Sequence, residues 1–255
     1  MTTVLGVDVA ARLRNIGVAH GTVEDGDVVV HAAVRGGSDA LPGPGTGPTA
    51  QAAEIVGTWL AERMAGPVTV GLDAPLGWPD PLRAGLAAHV AGGSIAAPDD
   101  PDRLWRRATD QDVHARFGKL PLEVGANYIA RAAWAGLEIL RQARLRSGRE
   151  LPVPLTPGTD AAIETYPAAT LRSWLGDPGG YKSDPDLRAV LLDRLEAAAP
   201  VRIEPPARRE AIASDHVFDA VICVVAAADF ATGRTPPVPT ALHQVARTEG
   251  WIHVR

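Results

Sequence analysis

Apolar and β-branched residues are concentrated in three short runs at the beginning of the chain. The runs are Thr3 to Val9, Ile16 to Val23 and Val28 to Val34, and the turn sequence Glu24-Asp25-Gly26-Asp27 separates the last two. Such runs, bounded by glycine and aspartate, are typical of strands joined by tight turns. The pattern therefore predicts an antiparallel meander of three strands.

A change of period follows the meander. After the Gly/Pro-rich loop from Gly36 to Pro48, apolar residues recur at helical spacing between Thr49 and Met64. Gly66-Pro67 ends that helix, and Val68 to Leu72 has the composition of a further strand. The first part of the chain is thus predicted to have the order β-β-β-α-β.

The rest of the chain alternates between broken and regular segments. Gly92 to Gly125 is rich in Asp, Pro and Arg, and we expect it to be irregular, within an insertion at about 78–150. The elements predicted around it are helices at Asn127–Arg146, after Pro167, at Pro185–Ala198 and at Arg209–Thr232, and strands at Ala161–Thr165 and, as an edge, Trp251–Val254. We expect residues 1–255 to form a single α/β domain.

Composition narrows the class of protein. The chain is 46% hydrophobic and 22% charged, which is ordinary for a globular protein, and its net charge of −5 argues against a broadly basic nucleic-acid-coating surface. The single cysteine, Cys223, lies in an apolar run and is expected to be a buried thiol. The first residues lack the features of a signal peptide and the longest apolar run, Ala220 to Ala228, is too short to span a bilayer. We therefore expect a cytoplasmic protein without a membrane partner.

Acidic residues stand where predicted strands end or helices begin. Asp8 and Asp73 end apolar strands, Glu164 lies in another strand, and Asp219 lies in the last long helix with Asp215 one turn before it. A carboxylate among so many apolar residues needs a partner, because its unpaired burial costs roughly several kcal/mol. Several acids that converge on one point would provide the oxygen ligands of a divalent cation.

Each acid also has a simpler structural interpretation. Asp215 could complement the helix dipole, Asp73 could organise the following turn through an Asx-type hydrogen bond, and Glu164 could cap or pair with the adjacent helix. A shared functional site is favoured because the acids occur together in a chain with the order β-β-β-α-β…β-α. For Asp219, which lies beside Phe218 and Ile222, we favour a role in this site over a structural role.

Several blocks of sequence resemble one family, and they occur in order along essentially the whole chain. The family is the prokaryotic family of predicted nucleases with a ribonuclease H-like fold (domain of unknown function 429). The matching blocks are Gly6-Val7-Asp8, Gly71-Leu72-Asp73-Ala74-Pro75-Leu76-Gly77, Arg107-Ala108-Thr109-Asp110, Glu164-Thr165-Tyr166-Pro167, Tyr181-Lys182 with Arg188, Asp215-His216-Val217-Phe218-Asp219-Ala220 and Glu249-Gly250-Trp251-Ile252. The resemblance implies a ribonuclease H-like mixed sheet of five strands, three antiparallel and the rest parallel, flanked by helices and carrying a helical insertion.

The resemblance also implies a chemistry. Carboxylates from the first strand, a central strand and the last helix would hold two Mg²⁺ or Mn²⁺ ions and hydrolyse a phosphodiester of nucleic acid or of a nucleotide-like molecule. Carried over by position, the catalytic residues are Asp8, Asp73, Glu164 and Asp219, and the metal ligands are Asp8, Asp73, Asp215 and Asp219. Either Asp215 or Glu164 would be the fourth ligand.

Charged residues outside the acid group are candidates for binding the substrate. They are Arg107, Asp110, Lys182 and Arg188. Arginine and lysine can hold phosphate oxygens by charge-assisted hydrogen bonds. A salt-bridged, solvated insertion is an equally good interpretation of the charges around Arg107.

Two other classes of protein compete with the metal-dependent nuclease. An actin-like kinase or ATPase also begins with Gly-x-Asp, but it needs glycine-rich turns to bind phosphates, whereas here Asp73 is followed by Ala74 and Pro75. A non-catalytic nucleic-acid-binding module would keep the fold without turnover. The presence of all the candidate acids weighs against this third interpretation.

Overall fold

The first strand of the protein lies near the centre of a mixed six-stranded sheet. This computed structural model describes residues 1–125 and 127–255. The strands are β1 (Thr2–Asp8), β2 (Gly17–Glu24), β3 (Asp27–Arg35), β4 (Val68–Asp73), β5 (Ala161–Glu164) and β6 (Val201–Ile203). Their order is β5-β4-β1-β2-β3-β6, with β1, β2 and β3 antiparallel to their chain neighbours and the other pairings parallel.

This topology confirms the ribonuclease H-like α/β architecture, with one strand more than expected. The predicted sheet of five strands is wrong in number because β6 adds a sixth. β6 has three residues, lies between Pro200 and Pro205, and pairs with Val28–Val30 of β3. So short a run carries no detectable alternation, and its pairing with a distant strand is what makes it a strand.

Helices cover both faces of the sheet. They are α1 (Thr49–Ala61), α2 (Asp80–Leu86), α3 (Ala108–Phe117), α4 (Asn127–Ser147), α5 (Pro167–Leu175), α6 (Pro185–Ala198), α7 (Pro205–Ala213), α8 (Asp215–Ala231) and α9 (His243–Glu249). Val4 of β1 belongs to the core beneath α6 and α8, and Leu5 and Val7 belong to the core beneath α1 and α4. Successive residues of a strand point to opposite faces, so a residue's parity along β1 decides which core it joins.

Three local predictions differ from the structure. The helix expected from Arg209 to Thr232 is two helices, because Ser214 adopts an extended conformation and its hydroxyl accepts from the backbone N–H of Val217 at the start of α8. The supposedly irregular segment of the insertion contains α3, which ends at Gly118 in the left-handed conformation (φ 64°). In the expected edge strand, Ile252 forms an isolated parallel bridge with Glu164.

Helix α8 packs over the middle of the sheet and is buried along most of its length. Every residue from Val217 to Phe230 is buried, including Cys223, as expected for a structural thiol. Throughout residues 1–125 and 127–255, no helix has both the length and the apolar character required to cross a membrane.

Candidate metal centre

Strand register places two of the predicted acids side by side. β1 and β4 are parallel neighbours in which Gly6 pairs with Gly71 and Asp8 pairs with Asp73. The period of two along each strand then directs both carboxylates to the face that α8 covers. The repeated Gly-x-Asp pattern in the sequence is therefore one structural unit in the folded protein.

The two glycines let α8 approach the sheet closely. A Cβ atom at Gly6 would lie 2.1 Å from the carbonyl oxygen of Ala220, and one at Gly71 would lie 2.7 Å from that of Cys223. Any larger residue would push α8 away from the strands. Close packing brings Asp219, one turn into α8, to the carboxyl ends of β1 and β4.

Asp8, Asp73 and Asp219 form the acid group of the site. One carboxylate oxygen from each of the three lies within 4.8 Å of those from the other two. Asp8 and Asp219 are buried and Asp73 is half-buried. Three carboxylates at this separation could hold a divalent cation, which prefers oxygen ligands.

Neighbouring polar groups contact two of the three acids. The Tyr181 hydroxyl donates to Oδ1 of Asp219 at 2.8 Å, and Lys182 Nζ lies 3.0 Å from its Oδ2. Nδ1 of His216 lies 2.6 Å from Oδ2 of Asp8. Among residues 1–125 and 127–255, the carboxylate of Asp73 receives no hydrogen bond. The nearby donors therefore provide hydrogen bonds to only some of the carboxylate oxygens of the acid group.

Burial and mutual repulsion raise the pKa values of these acids. Burial raises the pKa of Asp8 to about 7, against the hydrogen bond from His216 and with the help of the Asp219 charge. The pKa of Asp73 is raised well above its usual value by burial and then by the charges of Asp8 and Asp219. Burial also raises the pKa of Asp219, although Lys182 and Tyr181 oppose it. The group needs either protons or a cation to be stable in this position.

The surrounding groups respond to the same negative charge. Burial lowers the pKa of Lys182, but the carboxylates of Asp219 and Asp73 outweigh it and raise the pKa overall. The hydrogen bond to Asp8 raises the pKa of His216. Lys182 thus stays cationic beside the acids, and the proton shared between His216 and Asp8 is held more tightly than in free histidine.

Glu164 belongs to a different cluster. Its backbone pairs with Leu72, not with Asp73, so its side chain points to the sheet face opposite the acid group. Both of its carboxylate oxygens accept from the Arg107 guanidinium, at 2.6 and 2.7 Å, and one also accepts from the backbone N–H of Leu76 at 3.0 Å. Burial raises the pKa of Glu164, whereas Arg107 lowers it.

Arg107 and Asp110, which the sequence assigns to substrate binding, complete that cluster. Both are buried, and Arg107 Nη2 donates to Oδ1 of Asp110 at 2.9 Å. Asp110 also accepts from the backbone N–H of Arg107 at 2.8 Å, which caps the start of α3. The guanidinium is occupied by two carboxylates, so it is not presented to a phosphate. We call Glu164, Arg107 and Asp110 the arginine cluster.

Asp215 and Arg188 also lie apart from the acid group. Asp215 is half-buried in the first turn of α8, where a negative charge complements the helix dipole, and its carboxylate is outside the group of three. Arg188 is buried, and its guanidinium donates to the backbone carbonyls of Ile212, Tyr181 and Lys182 at 2.7–3.0 Å. It holds the segment that carries Tyr181 and Lys182, while the side chain of Lys182 reaches Asp219 itself.

Two contacting residues, His216 and Tyr181, have no role in the sequence-based assignment. A weak signal exists for each. His216 stands three residues before Asp219, one helical turn away, and Tyr181 precedes Lys182 in one of the blocks quoted above. Neither spacing says that the side chain would reach a carboxylate, since His216 contacts an acid that lies 208 positions earlier in the chain.

The acid group opens into a cavity of about 500 Å³. Asp8, Asp73 and Asp219 lie in its wall together with Lys182, and residues of the insertion and of α5 enclose it. Such a volume is typical of sites for small ligands.

Comparisons with known proteins place the chain in a family. No curated protein matches it. Among solved structures, "Thermus thermophilus RuvC structure" is similar over 93% of this chain and 100% of that chain, with 12% sequence identity and a TM-score of 0.41. Residues 6–243 match the family described as "Protein of unknown function (DUF429)". The match covers most of the chain and agrees with the resemblance carried by its sequence blocks, so this protein belongs to the DUF429 family.

Proposed function

We propose that the protein is a metal-dependent phosphodiester hydrolase that acts on nucleic acid or a nucleotide-like phosphodiester. The observation that carries the proposal is the group of three acids, Asp8, Asp73 and Asp219, in the wall of a cavity of about 500 Å³. Their raised pKa values indicate that the donors around them do not compensate their charge.

The three acids would hold Mg²⁺ or Mn²⁺. Both ions prefer carboxylate oxygen and, when bound, lower the pKa of an attacking water and stabilise charge on phosphate oxygens. Since Asp215 lies outside the group and Glu164 is bound by Arg107, three protein carboxylates are the ligand set that we propose. The expectation of two ions stays a prediction, and a second ion would need further ligands.

Residues around the acids would prepare them for this role. Tyr181 and Lys182 fix the two oxygens of Asp219, and His216 fixes one oxygen of Asp8. Hydrogen bonds of this kind orient ligating side chains and set their basicity. Lys182 would also be a cation within reach of a substrate phosphate, because it lies in the cavity wall and its side chain is 64% exposed.

The test combines metal binding with hydrolysis. Wild type and the variants Asp8→Asn, Asp73→Asn and Asp219→Asn are measured by thermal unfolding in EDTA and in Mn²⁺, and by hydrolysis of bis(4-nitrophenyl) phosphate. A cation that binds only the folded state raises the unfolding midpoint. We expect Mn²⁺ to raise it for wild type and not for the three variants, and we expect loss of hydrolysis in each variant by at least about 100-fold.

Asp215→Asn is the matched control, because it changes an acid in the same helix outside the group of three. It should keep both the metal response and the hydrolysis. If Mn²⁺ leaves wild type unchanged while ATP stabilises it, the kinase or ATPase alternative replaces the hydrolase. If Mn²⁺ binds without hydrolysis of any phosphodiester, the binding-module alternative replaces it.

A further inference from the structure

The cavity beside the acid group has an apolar wall. The insertion contributes Leu120, Pro121 and Leu122 just after α3, and α4 contributes Ile129 and Ala132. Leu122 is 70% exposed, so an apolar side chain faces solvent at the edge of the cavity. We refer to these five residues as the apolar wall.

An apolar surface next to acids and cations matches a nucleotide, which has a flat base and a charged phosphate. A base that has left its stack needs a surface for its flat face, and apolar side chains can provide one. In a duplex the bases are stacked on each other and only their edges are accessible. The apolar wall can therefore contact the base of an unpaired nucleotide. A duplex that presents its backbone to the site has no exposed base face to place against this wall.

Few cations are available to a long polyanion at this site. Apart from Arg107, which two carboxylates occupy, the cations that line the cavity within the described part of the chain are Lys119, Arg172 and Lys182. Two of these already face acids: Arg172 lies 3.1 Å from Asp177, and Lys182 lies 3.0 Å from Asp219.

Three arginines of the insertion, which could have formed a basic track, are engaged in ion pairs with acids of the protein. Arg103 pairs with the buried Glu249 at 2.6 Å and Arg106 pairs with Glu123 at 2.9 Å. Arg116 pairs with Asp112 and donates to the carbonyls of Val254 and Arg255. Duplex binding depends on neutralising many phosphates, and a chain of net charge −5 with these three arginines paired offers few contacts for them beside the cavity.

We infer that the cavity binds a single unpaired nucleotide, with its base on the apolar wall and its phosphodiester at Asp8, Asp73 and Asp219. The substrates are then single strands or dinucleotide-sized phosphodiesters, and duplexes bind weakly. This inference rests on the proposed function for the position of the phosphodiester. The preference for a single strand over a duplex, by contrast, follows from the apolar wall and from the small number of available cations.

Binding tests the inference without requiring turnover. Fluorescence anisotropy is measured for the wild-type protein in Ca²⁺, which carboxylates also bind, with a labelled oligothymidylate of twelve nucleotides and with a labelled twelve-base-pair duplex. A gel checks that both probes stay intact. We expect the single strand to bind at least about tenfold more tightly, with a slope of log affinity against log salt near −2, from about three phosphate contacts. The dinucleotide pTpT, added as a competitor, distinguishes a small ligand from a strand: competition at similar concentrations supports the former and weak competition the latter.

Leu122→Gln tests the apolar wall, and Leu145→Gln is its control. Both leucines are 70% exposed, so neither change should disturb folding, but Leu145 lies near the other end of α4. We expect Leu122→Gln to weaken single-strand binding by about threefold to tenfold, because part of an apolar contact is lost. We expect no change in single-strand binding for Leu145→Gln, and no change in its hydrolysis of bis(4-nitrophenyl) phosphate.

Three results would overturn the inference: duplex binding as tight as that of the single strand, a salt slope steeper than about −5, or no binding of either probe. Failure of the proposed function looks different. In that case bis(4-nitrophenyl) phosphate is not hydrolysed in Mn²⁺, while the single strand still binds and still responds to Leu122→Gln.

Discussion

The protein buries two groups of carboxylates near the same edge of its sheet, and they differ in what surrounds them. In the arginine cluster, one guanidinium is bound by both oxygens of Glu164 and by Asp110. In the acid group, three carboxylates meet with one lysine, one tyrosine and one histidine among their neighbours, and Asp73 receives no hydrogen bond in the described part of the chain. A buried charge that is paired fixes a structure, whereas one that is left partly unpaired is available to a ligand.

The arginine cluster also explains how the insertion is attached to the sheet. Arg107 begins α3 and reaches Glu164 at the end of β5, while its Nη1 donates to the carbonyl of Glu249 at 3.1 Å. Glu249 is itself buried and accepts from the backbone N–H groups of Asp80 and Ala108. Arg107 and Glu249 thus attach the insertion, which forms part of the wall of the cavity, to the end of the sheet.

Removal of the arginine should have the largest effect on stability. Arg107→Met leaves Glu164 and Asp110 buried without their partner, so we expect the free energy of unfolding to fall by about 3–5 kcal/mol. Urea denaturation measures it, with Arg83→Met as the control because Arg83 makes an exposed pair with Asp80. The control should lose less than about 1 kcal/mol. Equal losses in the two variants would show that the cluster is no more important than a surface ion pair.

The acid group should make metal binding depend on pH. Since the folded pKa of Asp8 is about 7 and its ordinary value is 3.8, Asp8 contributes stability below pH 3.8 that is lost as the pH rises through 7. A metal ion must displace this proton and any proton held by the other two acids, so Mn²⁺ affinity should fall by at least about tenfold per pH unit below pH 7. Unfolding midpoints with and without Mn²⁺ between pH 5.5 and 8.5 measure this dependence. An affinity that stays constant across that range would contradict it.

Replacement of one acid should have the smallest effect, and its sign should depend on metal. In EDTA at pH 8, Asp73→Asn removes a carboxylate whose raised pKa marks it as destabilising, so the variant should be more stable than wild type by on the order of 1 kcal/mol. In saturating Mn²⁺ the order should reverse, because only wild type gains the binding energy. Chemical denaturation under both conditions measures the two differences. A variant less stable than wild type in EDTA would mean that Asp73 is already compensated.

The main elements of the fold follow from the sequence because their patterns are long enough to have a period. The meander, α1, β4 and α4 were all predicted, and the last begins at Asn127 as expected. Short elements carry no such signal. β6 is a strand because β3 pairs with it, and the break at Ser214 depends on one hydroxyl that caps α8.

The sequence by itself determined that acids end two apolar strands, that each is preceded two positions earlier by a glycine, and that a further acid lies in an apolar helix. It did not determine which acids meet. β5 is buried along its whole length, so its residues show no alternation of apolar and polar positions from which the direction of Glu164 could be read. Only the register with β4 directs Glu164 to the opposite face, towards Arg107, while the pairing of Asp8 with Asp73 and the close approach of α8 over Gly6 and Gly71 bring the three acids together. Distances between residues far apart in the chain are set by pairing and packing, and these are properties of the folded molecule.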